Sequence, residues 1–182
     1  MANLLYVDNS NVWIEGMHVA AVKHGLAPNI REAQSARICD NRWKIDFGKL
    51  FEFAGGDRSE VKKATLFGSR PPPNDSLWDT AKRKGFEVVV YDRSVANREK
   101  KIDTDIVATM IEDTFTILDP KTDEMTLVAG DSDYVPAIEK IRKREITFHV
   151  VFWNHAAREL REAATKFIAL DPYLEHLCLK PR

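Results

Sequence analysis

Several features that would assign a chain to a secreted, membrane or zinc-binding class are scarce here. Only two cysteines occur in 182 residues, Cys39 and Cys178, far apart in the sequence. That excludes a disulfide framework and the paired spacing of a zinc site, and it makes a reducing compartment the default. No stretch approaches the roughly 20 consecutive apolar residues of a membrane span. Neither sign of charge dominates: 27 Lys and Arg stand against 28 Asp and Glu, a formal net charge of -1. Any basic surface for a nucleic acid must therefore be local. Internal repeats and low-complexity tracts are missing as well. The N-terminus runs straight into Leu4-Leu5-Tyr6-Val7 with no cationic leader, so a cytoplasmic protein with no membrane partner is expected.

What remains is an ordinary globular composition, 44% hydrophobic and 30% charged. The length suits one domain with a full core and is too short for two comfortable ones. That domain is expected over residues 1–170, with 171–182, from Asp171-Pro172 on, as a C-terminal tail packed on the same domain.

Short apolar runs alternate with segments of helical periodicity. Leu4 to Val7 reads as a buried parallel strand. Asp8-Asn9-Ser10-Asn11 suits a strand-to-helix turn with an N-cap, and Trp13, Met17, Ala20, Ala21 and His24 follow at helical spacing. Residues 26–44 are polar and irregular, as in a long connection, an inserted short helix or a lid. Asp46 suits the cap of a helix carrying Phe47, Leu50, Phe51 and Ala54. Further strands are expected within Val61 to Gly68, over Phe86 to Tyr91, over Thr126 to Ala129 and over Ile146 to Phe152. A polar loop over Asp92 to Lys101 leads to a long helix opening at Ile102-Asp103. A last helix, capped by Asn154, carries Leu160, Ala163, Ala164 and Phe167. Alternation of this kind predicts an α/β domain with a mostly parallel sheet and right-handed crossovers.

The chemistry concentrates at Thr126-Leu127-Val128-Ala129-Gly130-Asp131-Ser132-Asp133-Tyr134-Val135-Pro136. An apolar strand ends in glycine, two carboxylates follow two residues apart, and Pro136 suits the first turn of a new helix, where a missing N–H costs nothing. In an open parallel sheet this is the edge where ligands bind. Asp8 ends another strand at the same edge. Asp103 lies three, four, seven and eight residues before Ile106, Val107, Met110 and Ile111, so it shares the core-facing stripe of its helix. Asp105 lies about 200° further round the wheel and points elsewhere.

Convergence of Asp8, Asp103, Asp131 and Asp133 would be costly without a counter-charge. Two like charges about 4 Å apart repel by roughly 4 kcal/mol at an effective dielectric near 20. Either some of them protonate or hard divalent ions bind. Oxygen ligands with no His or Cys nearby favour Mg2+ or Mn2+ over zinc. Such a centre suits phosphodiester cleavage, because the metal acidifies water and neutralises charge building on the phosphate oxygens. The structural alternative is that each Asp is only a helix cap, as Asp commonly is. Asp103-Thr104-Asp105 shows how readily an Asp-x-Asp arises elsewhere in this chain. The tryptophans Trp13, Trp43, Trp78 and Trp153 read as core rather than base-stacking platforms. Arg70, Arg93, Arg98, Lys100 and Lys101 could form one groove for single-stranded RNA, although clustered cations are commonly plain solvated surface.

The motifs Leu5-Tyr6-Val7-Asp8-Asn9-Ser10-Asn11, then Lys101-Ile102-Asp103, then Gly130-Asp131-Ser132-Asp133-Tyr134 resemble those of the NYN domain family, the PIN-like ribonucleases that include the LabA-like bacterial proteins. The resemblance runs from Leu4 to about Leu170, and the third motif is its most specific part. It implies a three-layer PIN-like Rossmannoid fold with a mostly parallel five-stranded sheet of order 3-2-1-4-5. It also implies Mg2+- or Mn2+-dependent cleavage of RNA, with endonucleolytic cutting expected first, and Asp8, Asp103, Asp131 and Asp133 as metal-site acids. Asn11 is implied as the polar residue that helps hold the site or the scissile phosphate, and Lys101 as a contact to the RNA backbone. Departures are Ala129, where serine is common, and Asp105, where small or apolar residues are usual.

Hydrolysis is expected to leave a 5′-phosphate and a 3′-hydroxyl. The alternative is a non-catalytic RNA- or protein-binding module on the same fold, which would have no need of the acids. A phosphatase or Toprim-like enzyme fits less well: Ser10 stands where the first needs a second Asp, and Glu15 lies one turn too deep for the second. Which RNA is cut, whether DNA is also a substrate, whether cutting is endo- or exonucleolytic, and whether homo-oligomers form are left open by the sequence.

Overall fold

A computed structural model describes residues 2–69, 75–92 and 98–180, with residues 98–100 described by their backbone alone. The chain runs β1 (Asn3–Asp8), α1 (Asn9–Lys23), α2 (Ile30–Ser35), α3 (Phe47–Gly55), β2 (Val61–Ser69), α4 (Ser76–Arg83), β3 (Glu87–Tyr91), α5 (Arg98–Thr116), β4 (Glu124–Val128), α6 (Val135–Arg142), β5 (Thr147–Phe152), α7 (Arg158–Ala163) and β6 (Lys166–Ala169). The strands form one sheet of order β3-β2-β1-β4-β5-β6, and each neighbouring pair is parallel. Winding reverses between β1 and β4. In a doubly wound sheet the crevice at that reversal, outside the carboxyl ends of the strands, is where ligands bind.

Period-2 alternation in β1 divides the core into two. Leu5 and Val7 pack with Val12 and Ala20 of α1, with α3 and with Trp78 and Ala81 of α4. Leu4 and Tyr6 pack on the opposite face with Ile106 and Met110 of α5, Ile138 of α6 and Leu160 of α7. Asp8, two residues beyond Tyr6, follows the same alternation toward the α5–α6 face. The molecule is thus three layers with the sheet in the middle.

Tryptophans lock the layer that holds α1. Trp43 and Trp153 are buried and meet edge to face, with ring centroids 5.7 Å apart. Gly16 lets α1 come down on this pair, since a Cβ there would lie 2.5 Å from Trp43 and 2.8 Å from Trp153. Indole N–H groups complete the lock: Trp153 donates to the Val12 carbonyl and Trp43 to the Leu174 carbonyl, each at 2.9 Å.

Three expectations need correction. The sheet has a sixth strand: the stretch expected to continue the last helix leaves it at Ala163, and Phe167 lies in β6 opposite Val150. Thr165 makes the switch, donating its N–H to the Phe148 carbonyl at 2.8 Å and accepting the Phe148 N–H on its hydroxyl at 3.0 Å. A four-residue strand is too short to show its own period, and Ala163-Ala164 prolonged the helical one. Asn154 does not cap that helix; the N-cap is Ala157, and the Asn154 N–H donates to Asp171 Oδ2 at 2.6 Å. The long helix α5 starts at Arg98, inside the expected loop, so Asp103 lies in its second turn rather than its first.

The 26–44 segment is a connection with an inserted short helix, one of the alternatives expected for it. It holds α2, capped by Asn29, whose side chain accepts the Glu32 N–H at 2.9 Å. It then returns to the core at Trp43. The tail closes over that return: Leu174 and Leu177 are fully buried, and Asp46 N–H donates to the Leu177 carbonyl at 2.8 Å. Among the described residues no helix is long and apolar enough to cross a membrane.

Candidate active site at the carboxyl ends of β1 and β4

Asp8 is the last residue of β1 and the N-cap of α1, its Oδ1 accepting the Asn11 N–H at 3.1 Å. The capping role is therefore real, yet it uses only one carboxylate oxygen. The other, Oδ2, lies 3.2 Å from the hydroxyl of Tyr134. That hydroxyl donates to Asp103 Oδ1 at 2.7 Å. Asp103 sits in the second turn of α5, where a capping role is ruled out. A single phenol oxygen thus stands between acids from β1 and α5.

Asp131 lies just past β4 on the turn Gly130–Asp133 and is exposed, as is Asp133. The turn is held from both sides. Asn11 Oδ1 accepts the Gly130 N–H at 2.8 Å, and the Gly130 carbonyl accepts the Ala157 N–H at 2.9 Å. Glycine is needed here, because a Cβ at residue 130 would lie inside the buried ring of Phe152.

Burial pushes the Asp8 carboxyl up to about 7, and the negative charges of Asp103 and Asp131 push in the same direction. The hydrogen bonds from the Asn11 N–H and the Tyr134 hydroxyl oppose the rise without cancelling it. Three acids from β1, α5 and the β4–α6 turn therefore feel one another. Asp133 stands exposed on its turn. Asp105, on the far side of α5, accepts from the hydroxyl of Tyr91 at the end of β3.

In chemistry this donor set fits a hard divalent ion, being carboxylate oxygen with no imidazole or thiolate among it. Crowding of like charge at Asp8 is what a cation relieves. Among the described residues, however, no three His, Cys, Asp or Glu side chains are grouped as ligands of one ion.

Cations are less completely placed. Lys101 is exposed, with its ammonium 4.9 Å from the centroid of the Tyr91 ring. Arg70 and Arg93 lie outside the described residues, and Arg98 and Lys100 begin α5 with side chains that are not described. Tyr134 closes the third motif in the sequence, which gives its hydroxyl no role. The available signal was its place directly after Asp133, at a position that an apolar residue would fill equally well for packing alone.

A Rossmann-like α/β sheet with acids gathered at its winding reversal defines the class of protein. The NYN domain profile matches residues 11–171, and the chain belongs to the NYN domain family, whose members are generally PIN-like nucleases. In fold it is similar to the crystal structure of a protein of unknown function from Vibrio parahaemolyticus, with a TM-score of 0.68 and 19% identity over 98% of this chain and 96% of that one. No curated protein matches the chain.

Proposed function

We propose that the protein is a metal-dependent ribonuclease, hydrolysing RNA phosphodiester bonds at the carboxyl edge of β1 and β4. The observation that carries this reading is the meeting of Asp8 and Asp103 around one phenol oxygen at the winding reversal of the sheet, with the Asp8 carboxyl raised to about 7 by burial first and by the charges of Asp103 and Asp131 after it. Crowded carboxylates lower the stability of a fold unless they serve a positive partner. Family membership supplies the class of reaction.

Asp8, Asp103 and Asp131 would hold Mg2+ or Mn2+, with Asp133 beside them on the same turn. The ion, when bound, supplies charge neutralisation at the phosphate and acidification of water. The chain's own groups do the rest. The carboxylates orient the attacking water in line with the scissile bond. Asn11, fixed to Gly130, keeps the first turn of α1 against the turn after β4, so that the helix N-terminus would favour a phosphate brought to this edge. Lys101 neutralises a neighbouring phosphate and positions the strand. The products are a 5′-phosphate and a 3′-hydroxyl.

The second reading is a binding module without catalysis on the same fold, for which three acids need not group as ligands of one ion. One assay separates the two. End-labelled single-stranded RNA, and DNA of the same sequence, are incubated with the metal-stripped protein and with protein given Mn2+ or Mg2+. Cutting that needs the metal and prefers RNA supports the nuclease. Retarded but intact RNA under every condition supports the module.

A further inference from the structure

We propose that Tyr134 is a positioning residue of the acidic site, whose hydroxyl sets the separation of Asp8 and Asp103 so that both can serve one divalent cation. The inference rests on the functional reading above and adds to it a residue that the motifs do not assign. Tyr134 is fully buried. Its ring packs in the α5–α6 half of the core beside Ile106 and Ile138, a place phenylalanine would fill. The hydroxyl is what distinguishes tyrosine there, and a buried hydroxyl requires a partner.

Its partners are the choice that needs explaining. Main-chain carbonyls satisfy most buried hydroxyls, yet this one sits 2.7 Å from Asp103 Oδ1 and 3.2 Å from Asp8 Oδ2. Both oxygens are measured from one phenol oxygen, so they are no more than 5.9 Å apart. One proton shared near two carboxylates holds them at short range in the absence of any ion. The backbone of Tyr134 is also the N-cap of α6 and follows Asp131-Ser132-Asp133 directly. One residue therefore ties together β1, α5 and the turn after β4, the three elements that supply the acids.

The neighbouring network shows that α5 is pinned at a second point. Tyr6 donates to Asp113 Oδ2 at 2.7 Å, and Lys63 reaches both Asp113 oxygens at 3.0 and 2.8 Å. That contact fixes the far end of the helix. Tyr134 fixes the end that carries Asp103.

The test is Tyr134→Phe, which keeps the ring and removes the oxygen. Mn2+ is titrated calorimetrically into metal-stripped wild-type and variant protein, without RNA. Outer-shell partners of metal ligands commonly contribute about 10- to 100-fold in affinity, and a weakening of that order is expected. The KM for RNA should stay unchanged, and cleavage should recover toward the wild-type rate at high Mn2+. A purely structural hydroxyl would lower the melting temperature and leave the Mn2+ affinity alone. Binding within twofold of wild type overturns the inference while the nuclease reading stands. Failure of the wild type itself to bind Mn2+ or Mg2+ overturns both. Should the variant not fold, wild-type protein labelled with 13C at the tyrosine Cζ answers instead. One of its four tyrosine signals should move with Mg2+ at the midpoint of binding, and four unmoved signals contradict the role.

Discussion

Asn11 and Gly130 are joined across the winding reversal of the sheet: the Asn11 side-chain oxygen accepts the Gly130 N–H at 2.8 Å. The contact couples the first turn of α1 to the turn that carries Asp131. Asn11→Ala leaves that partly buried N–H without its acceptor, at a cost of about 1–3 kcal/mol. For a chain of this size the melting temperature should fall by roughly 2–4 °C per kcal/mol. Cleavage should fall further than the stability loss explains, because the Asp131 turn is released. A melt by circular dichroism together with the labelled-RNA assay measures both.

Asp8 makes the metal-free protein sensitive to pH in a defined direction. Its carboxyl is raised to about 7 in the fold, above its ordinary value of 3.8, so the folded state holds this proton more tightly than the unfolded chain. The stabilisation is complete below the ordinary value and is lost as pH rises toward 7. In EDTA the melting temperature of wild type should therefore decline between about pH 4 and 7 relative to Asp8→Asn, which lacks the titration. Parallel curves for the two proteins would show that burial and the neighbouring acids do not raise the Asp8 carboxyl. Adding Mn2+ at pH 8 should raise the wild-type melt and leave that of the variant nearly where it was.

Gly130 has no room for a side chain against Phe152. Gly130→Ala should destabilise the fold by about 1–3 kcal/mol, the usual cost of overpacking a core. Cleavage should drop with it, as the turn is pushed outward. Trimming the obstacle with Phe152→Leu in the same chain should return part of the stability, which urea unfolding of the single and double variants would show. Additive losses would mean that the two side chains do not oppose each other.

Much of this architecture was legible in the sequence, and the misses have physical causes. Leu4 to Val7, Leu127 to Ala129 and Val150 to Phe152 are buried on both faces and read as continuous apolar segments. Gly130 and Pro136 mark where β4 stops and α6 begins. Strand β6 was hidden because Lys166–Ala169 is short and follows two alanines that extend a helical pattern. Its stability is tertiary, coming from β5 and from Thr165. The start of α5 lies earlier than expected because Arg98 to Lys101 is polar and carries no apolar periodicity. Asp8 and Asp103 could be placed at the correct edge from strand ends and helix phase. The phenol between them could not, since no spacing rule says which buried hydroxyl meets which acid.

The most direct measurement is the cleavage of labelled RNA by Asp131→Asn beside wild type in the same Mn2+ buffer, with the metal-free melting curves of both. The variant is isosteric, removes one of the crowded charges and leaves the buried core untouched. Wild type is expected to cut and the variant to lose at least ~100-fold in rate, which is about 3 kcal/mol of transition-state stabilisation. Its melting temperature in EDTA should be unchanged or higher. Equal cutting by the two proteins, or a wild type inert with both Mn2+ and Mg2+, would contradict a metal-dependent nuclease built on these acids.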